Sequence, residues 1–416
     1  MQKSGGAVIL MERKMIKNKI TTLAGGWDFH EIMPQEPFNE ETIAFLDDLS
    51  KEICQNERTK DQAQARAFAF WCRKNHISQW KKKTEEEKYA LGLGMIFHIA
   101  PANIPYLFAY SMVFGMLSGN GNVIRISQRT WKMSQDLCKV IDEVMQRENY
   151  QNIYQNNWIM TYEKDDEITK ELSKQCDGRV VWGGDGTIET MKQYPLKPTA
   201  MEITFPDRNS VAVFDLSFMK EANQKEKEDL AYRFYNDTLL MDQNACSSPR
   251  LIYWRNEENI GKIESEDIKK EWWNLFLKVS QKYDLSPWKV SEKYEQLCNE
   301  IMEFYEIFEI TRYGGNQIYV AQIRDLPEKV DHYQAKFGCF YECEIKSLSQ
   351  MCKILDRKVQ TIVYEGIDPK ELAKEIIRSK KKGADRIVRA GSALELDHIW
   401  DGKDIIGSLS RIIQVK

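Results

Sequence analysis

The residues best suited to covalent chemistry lie in Met241-Asp-Gln-Asn-Ala-Cys-Ser-Ser-Pro-Arg250. Ala245, Ser247 and Ser248 flank Cys246, so little shields its sulfur from a reagent. Pro249 ends any helix and the apolar run Leu251-Ile-Tyr-Trp254 follows, which puts the thiol at a junction between elements. A thiol so presented can act as a nucleophile and take an acyl group. The competing reading is a small buried packing thiol, because one cysteine fixes no catalytic signature.

Three turns carry further candidates. In His98-Ile-Ala-Pro-Ala-Asn-Ile-Pro105, two prolines stiffen the turn that holds Asn103. Its carboxamide N–H could donate to a developing oxyanion, or it could bond its own backbone. His98 reads as a satisfied core histidine. In Ser118-Gly-Asn-Gly-Asn-Val-Ile-Arg125, a tight turn feeds a strand whose end carries Arg125. A fixed guanidinium fork there suits ribose or phosphate, or is a plain surface charge. Trp182-Gly-Gly-Asp-Gly-Thr187 runs from a strand into a short helix, with glycines that let a cofactor approach and a helix N-terminus that favours anions.

These turns must be positioned by a sheet. From Leu91 to about Asp215, five apolar runs alternate with helical patterns: Gly94–Ile99, Asn122–Ile126, Trp158–Met160, Arg179–Trp182 and Ser210–Phe214. That alternation predicts a parallel sheet with ligands at the strands' carboxyl ends. A helical pattern through Leu230 to Leu240 then delivers Cys246. A second α/β region follows, with strands at Leu251–Trp254, Gln317–Val320, Phe337–Cys343, Thr361–Tyr364 and Arg386–Val388. Helices are expected at Ser265–Lys282, with Ser265 as N-cap, and at Ser291–Phe308. Gly383 is expected to cap the helix that ends in Arg378-Ser-Lys-Lys-Lys382. Residues 1–90 read as an amphipathic helical preface, with helices over Glu40–Cys54 and Asp61–Trp80. The expected division is 1–90, 91–220, 221–390 and 391–416.

Composition narrows the class. A net charge of −4 argues against nucleic acid as the main partner. Nine scattered cysteines read as reduced thiols of a cytoplasmic protein, and Cys339, Cys343 and Cys352 as packing rather than a metal site. Tyr89 to Ile124 contains no Asp, Glu, Lys or Arg, but Pro101, Asn103, Pro105, Ser118 and Asn120 interrupt it. A strand, a turn and a buried helix are expected there, not a transmembrane segment.

Taken in order, the three turns, the cysteine stretch, Arg386-Ile-Val-Arg-Ala-Gly-Ser-Ala-Leu394 and Trp400-Asp-Gly-Lys-Asp-Ile-Ile406 resemble the fatty acyl-CoA reductase family of bacterial bioluminescence, LuxC. That family looks like a branch of the aldehyde dehydrogenase superfamily. The resemblance spans about residues 90–416. It implies an aldehyde dehydrogenase-like α/β fold: a Rossmann-type dinucleotide-binding domain and a second α/β catalytic domain. It implies NADPH-dependent reduction of a fatty acyl-CoA or acyl-protein thioester to an aldehyde through a cysteine-bound thioester. The alternatives it leaves are aldehyde oxidation, acyl-phosphate reduction, or a non-reducing acyl-carrying subunit. Cys246 matches the acyl-accepting cysteine and Asn103 the oxyanion asparagine. Arg125 and Ser127 stand near the adenosine ribose, where a cation suits the NADPH 2′-phosphate, and Gly183, Gly184 and Asp185 lie along the dinucleotide. Glu202 stands near the superfamily's glutamate general base, without the glycine pair that follows it there. An acyl-protein synthetase partner and a homo-oligomer are further implications.

Overall fold

The strand order of the first sheet is set by five parallel strands that wind outward in two directions. The computed structural model describes residues 17–84, 89–327, 329–334 and 336–416, and these form two units. The first comprises residues up to Pro206 together with Lys403–Lys416; the second is Asp207–Gly402. The apolar run Ala7–Met11 lies outside the described residues.

In unit 1 the strands are β1 (Thr21–Gly25), β2 (Met95–Ile99), β3 (Gly121–Arg125), β4 (Asn157–Thr161), β5 (Gly178–Trp182) and β6 (Met201–Phe205). Their order is β1-β4-β3-β2-β5-β6. All neighbours are parallel except β1, which runs antiparallel to β4. Without β1 this is the doubly wound order 3-2-1-4-5, whose direction reverses between β2 and β5. A crevice therefore opens at the carboxyl ends of those two strands. The helix Leu107–Leu117 after β2 is apolar nearly all round and buried, as such a composition requires. Among the described residues no helix is long and apolar enough to cross a membrane.

A polar chain runs through this core. Trp182 Nε1 donates to Ser111 Oγ at 2.8 Å, and Ser111 Oγ lies 2.7 Å from His98 Nδ1. His98 Nε2 meets Asn122 Oδ1 at 2.9 Å, and Asn122 Nδ2 donates to Asn157 Oδ1 at 2.8 Å. Burial pulls the His98 imidazole down to about 4, so it is neutral at physiological pH. The amide oxygen can only accept, which puts the proton on Nε2 and leaves Nδ1 to accept from Ser111. His98 is a satisfied core residue.

In unit 2 the strands are β7 (Asn209–Asp215), β8 (Pro249–Arg255), β9 (Ile307–Tyr313), β10 (Ile318–Ile323), β11 (Cys339–Ile345), β12 (Val359–Glu365) and β13 (Arg386–Arg389). Their order is β9-β10-β11-β8-β7-β12-β13, parallel except for the antiparallel edge pair β9–β10. Alternation decides which core each side chain joins. Val211, Val213, Leu251 and Tyr253 enter one cluster; Ala212, Phe214, Ile252 and Trp254 enter the other. Both faces are thus covered, and that explains the continuous apolar runs.

Several expectations change. The run Ser210–Phe214, read as the fifth strand of the first sheet, lies at the centre of the second. Its place in the first sheet is taken by β6, a half-exposed edge strand whose polar residues hid it. The unit boundaries accordingly fall after Pro206 and Gly402 rather than at 220 and 390. The preface is not all helical, since it supplies β1, and its second helix breaks at Cys72-Arg73 into Ala63–Trp71 and Lys74–Thr84. The helix expected to reach Phe308 ends at Glu303 and gives way to β9. Ser265 lies inside the helix Lys262–Ser280, donating to Glu344 Oε2, while Gly261 is the N-cap. Lys380, at φ 54°, takes the left-handed C-cap assigned to Gly383.

Residues 403–416 rejoin unit 1. Ser410–Ile412 pairs antiparallel with Ala90–Gly92, and Asn120 Nδ2 donates to the Leu409 carbonyl at 2.8 Å.

Candidate active site

The loop that carries Cys246 begins where the helix Gln224–Asp237 and a following turn of 3-10 helix run out. Asp242 and Gln243 both adopt left-handed backbone, at φ 56° and 55°. Two such residues in succession turn the chain sharply, and side-chain bonds hold them there. Asp242 accepts from Tyr283 Oη at 2.5 Å and from Lys289 Nζ at 2.9 Å. The buried Gln243 donates to the Cys339 carbonyl at 3.1 Å and accepts from Gly338 N at 2.7 Å. Arg250, buried at the start of β8, donates to the Gln243 carbonyl at 3.0 Å, to Asn209 Oδ1 at 3.1 Å and to Gln334 Oε1 at 2.8 Å. Ser210 Oγ donates to the Cys246 carbonyl at 2.7 Å. The loop is therefore fixed before, at and after the cysteine.

Cys246 stands at the amino-terminal edge of the second sheet, beside the starts of β7 and β8. Cys246 is part-exposed as a residue, yet burial is the leading influence on its thiol and pushes it above the ordinary range. The Arg208 N–H and the Arg250 charge pull it down; Asp401 and Asp207 push it up. Arg250 thus favours the thiolate, but desolvation outweighs it. Alkylation of Cys246 by iodoacetamide in the protein alone is expected to climb about tenfold per pH unit from 7 to 9 without levelling. A plateau near pH 7 in peptide-resolved mass spectrometry would contradict this.

Arg208, Ser210, Gln360 and Asp385 form, with Asp401, a network beside this loop, and the first four carry no signal in the linear pattern. The Arg208 side chain is buried, ion-paired to Asp385 and to Asp401 at 3.4 Å. Asp401 is the acid of Trp400-Asp-Gly, the stretch whose distinctiveness could have pointed to it.

On unit 1, the other candidates gather at the carboxyl ends of the strands. Asn103 is exposed in the turn after β2. That turn is held at both ends by the helix Gln128–Met145: Thr130 Oγ1 donates to the Pro101 carbonyl at 3.2 Å and Ser134 Oγ to that of Pro105 at 2.9 Å. Arg125 ends β3, with its guanidinium 5.4 Å from the Tyr162 ring centre and no ion pair among the described residues. Ser127 is the N-cap of the helix Gln128–Met145, its Oγ accepting from Thr130 N at 3.0 Å. Gly183 follows β5, Gly184 caps the helix Asp185–Lys192, and Asp185 opens it. A Cβ at Gly183 would lie 3.0 Å from the Thr187 side chain, so this turn comes close to its own helix.

Glu202 lies elsewhere. It pairs in register with Arg179, near the amino ends of β6 and β5. Its Oε1 accepts from Arg179 Nε at 2.7 Å and Nη2 at 2.5 Å, and the same buried arginine donates to Ser173 Oγ. The expected general base is thus an ion-pair partner away from the strands' carboxyl ends.

The acyl-CoA reductase (LuxC) family model matches residues 29–412. The chain belongs to the LuxC acyl-CoA reductase family. Membership makes it an oxidoreductase of acyl thioesters. Among solved structures it is similar to lactaldehyde dehydrogenase from Escherichia coli, at 14% identity over 90% of this chain and 85% of that one, with a TM-score of 0.60. It is likewise similar to aldehyde dehydrogenase 21 from Physcomitrella patens, at 10% identity over 90% and 84%, TM-score 0.60. An NAD-dependent aldehyde dehydrogenase from Sinorhizobium meliloti matches at 12% identity over 89% and 78%, TM-score 0.58. No curated protein sequence matches significantly. At these identities the structural likeness speaks for the fold, which is that of aldehyde dehydrogenases. In a LuxC chain of this fold a nicotinamide dinucleotide is the cofactor class. The crevice between β2 and β5 suits one, with a glycine turn and a helix N-terminus after β5, and Arg125 ends the neighbouring strand β3.

Proposed function

We propose that this chain reduces a fatty acyl thioester to the aldehyde with NADPH, by way of a thioester on Cys246. The observation that carries the reading is the loop of residues 242–250, fixed on both sides of a part-exposed cysteine. The Cys246 sulfur attacks the acyl carbonyl, and the donor's thiol departs with the acyl group left on Cys246. Asn103 and the Cys246 backbone N–H are the oxyanion donors of this reading. A bound nicotinamide supplies a hydride to the acyl carbon. The Cys246 sulfur then leaves as thiolate while the aldehyde carbonyl forms. A thiolate leaves without acid help, so Glu202 can remain with Arg179. The acyl donor is a fatty acyl-CoA or an acyl-protein thioester presented by a synthetase, and the protein works as a homo-oligomer in the cytoplasm.

Arg125, with Ser127 and Gly183-Gly184-Asp185, holds the dinucleotide. Asp185 in the first helical turn favours a hydroxyl over a second anion at that point, which leaves Arg125 to meet the 2′-phosphate. Steady-state rates with a long-chain acyl-CoA and each nicotinamide cofactor test the proposal. NADPH is expected to be preferred over NADH by about tenfold or more, and Arg125→Ala to raise KM for NADPH by a similar factor with little change for NADH. Absence of turnover with any acyl-CoA or acyl-protein donor would end the reductase reading. Equal use of both cofactors would remove Arg125 from it.

A further inference from the structure

Two distant parts of the chain meet at the nucleophile. Arg208 stands immediately before β7, two residues ahead of Ser210, whose Oγ donates to the Cys246 carbonyl at 2.7 Å. The Arg208 side chain turns into a buried pocket. There the guanidinium pairs with Asp385, lies 3.4 Å from Asp401 and donates to the Val359 carbonyl. Asp401 is itself buried and accepts from Gln360 Nε2 at 2.5 Å. It sits at φ 50°, followed by Gly402 at φ 70°, so the backbone bends to place this carboxylate inside. Two acids on one arginine, with Arg208 and Asp401 nearly without solvent and Asp385 part-buried, form a costly arrangement unless something depends on it.

We propose that Asp401 and Asp385 form a clamp on Arg208 that positions the Cys246 nucleophile, making the Trp400-Asp-Gly stretch part of the acyl-transfer site. This rests on Cys246 being the acyl acceptor. The clamp fixes the guanidinium, the guanidinium fixes the backbone at the head of β7, and that backbone sets Ser210, which holds the Cys246 carbonyl. Ser210 is itself tied to Thr361 N at 3.2 Å. The charged groups acting on the thiol are Arg250, Asp207 and Asp401, together with the Arg208 N–H. Arg357, exposed, reaches Asp385 at 3.8 Å from outside. Asp401 disfavours the thiolate, so the clamp buys geometry at the expense of resting reactivity.

Asp401→Asn keeps the shape and removes that charge. In the full chain it is expected to raise the iodoacetamide alkylation rate of Cys246 at pH 7.5 by about threefold to tenfold. It is also expected to lower kcat about tenfold or more with KM for acyl-CoA unchanged, as a positioning defect should. Gln360→Ala loosens Asp401 without touching a charge. It is expected to lower kcat and leave the alkylation profile where it was, a split that general destabilisation would not give. If Asp401→Asn does not fold, Asp385→Asn, which removes a carboxylate that does not act on the thiol, and Gln360→Ala are each expected to lower kcat with the alkylation profile unchanged. Folded variants with wild-type kcat and wild-type alkylation profiles would overturn the clamp. Failure of the wild-type protein to carry an acyl group on Cys246 would instead end the nucleophile reading, and the alkylation shift reads the clamp independently of that result.

Discussion

Cys246→Ser is expected to lose NADPH-dependent reduction of acyl-CoA by on the order of ten-thousand-fold, with the fold and nicotinamide binding retained. Serine matches the cysteine in shape, so the bonds at its carbonyl and along residues 242–250 stay in place. What changes is chemistry. A serine hydroxyl is a weak nucleophile unless a base takes its proton, and an oxygen ester is a poor source of the later leaving group. The thiol itself is held above its ordinary range, yet a minor thiolate fraction still exceeds anything a serine hydroxyl offers at neutral pH. The measurement is incorporation of label from a radiolabelled fatty acyl-CoA, its release by hydroxylamine, and NADPH oxidation in the same tube. A Cys246→Ser protein turning over at the wild-type rate would sink the mechanism.

The second large effect concerns stability. Gly115→Ala is expected to destabilise unit 1 by about 3 kcal/mol or more. Gly115 lies on the buried helix after β2, directly over the polar chain. A Cβ there would stand 1.8 Å from Asn122 Oδ1 and 3.2 Å from His98 Nε2. Neither neighbour can yield cheaply. Asn122 is held through Asn157, and His98 through Ser111 to Trp182. Moving one partner orphans a buried polar group on the next. Thermal and urea unfolding check the value. Pairing Gly115→Ala with Asn122→Ala should recover part of the loss, because the closest atom goes while the histidine contact remains. A substitution costing less than the usual helix gain from glycine to alanine would show that the helix simply moves away.

Much of the fold could be read from the chain, because each buried strand is a continuous apolar run and each helix carries a periodic face. What escaped was assignment to a sheet. Ser210–Phe214 reads the same whichever sheet it enters, and only pairing with Pro249–Arg255 and Val359–Glu365 decides. Met201–Phe205 alternates polar with apolar at a sheet edge and passed as a loop. The site divides the same way. Cys246, Asn103 and Arg125 announce themselves by neighbours a few residues off: prolines, glycines, small side chains. Arg208 cannot, since its partner Asp385 is 177 residues away and Gln360 is 41 from Asp401. Glu202 misled for the converse reason. Its sequence position suggested a base, while its fate was set by Arg179 on the adjoining strand.

The return of residues 403–416 to unit 1 bears on how the protein is made. Unit 2 is one unbroken segment, whereas unit 1 needs Ser410–Ile412 against Ala90–Gly92 and the Leu409 carbonyl on Asn120. During synthesis residues 403–416 follow the whole of unit 2. The unit translated first is therefore the unit completed last, and in the interval the Asn120 amide and the backbone of residues 90–92 lack their partners. A nascent chain stalled just past Gly402 should show a protease-resistant unit 2 beside an unprotected unit 1.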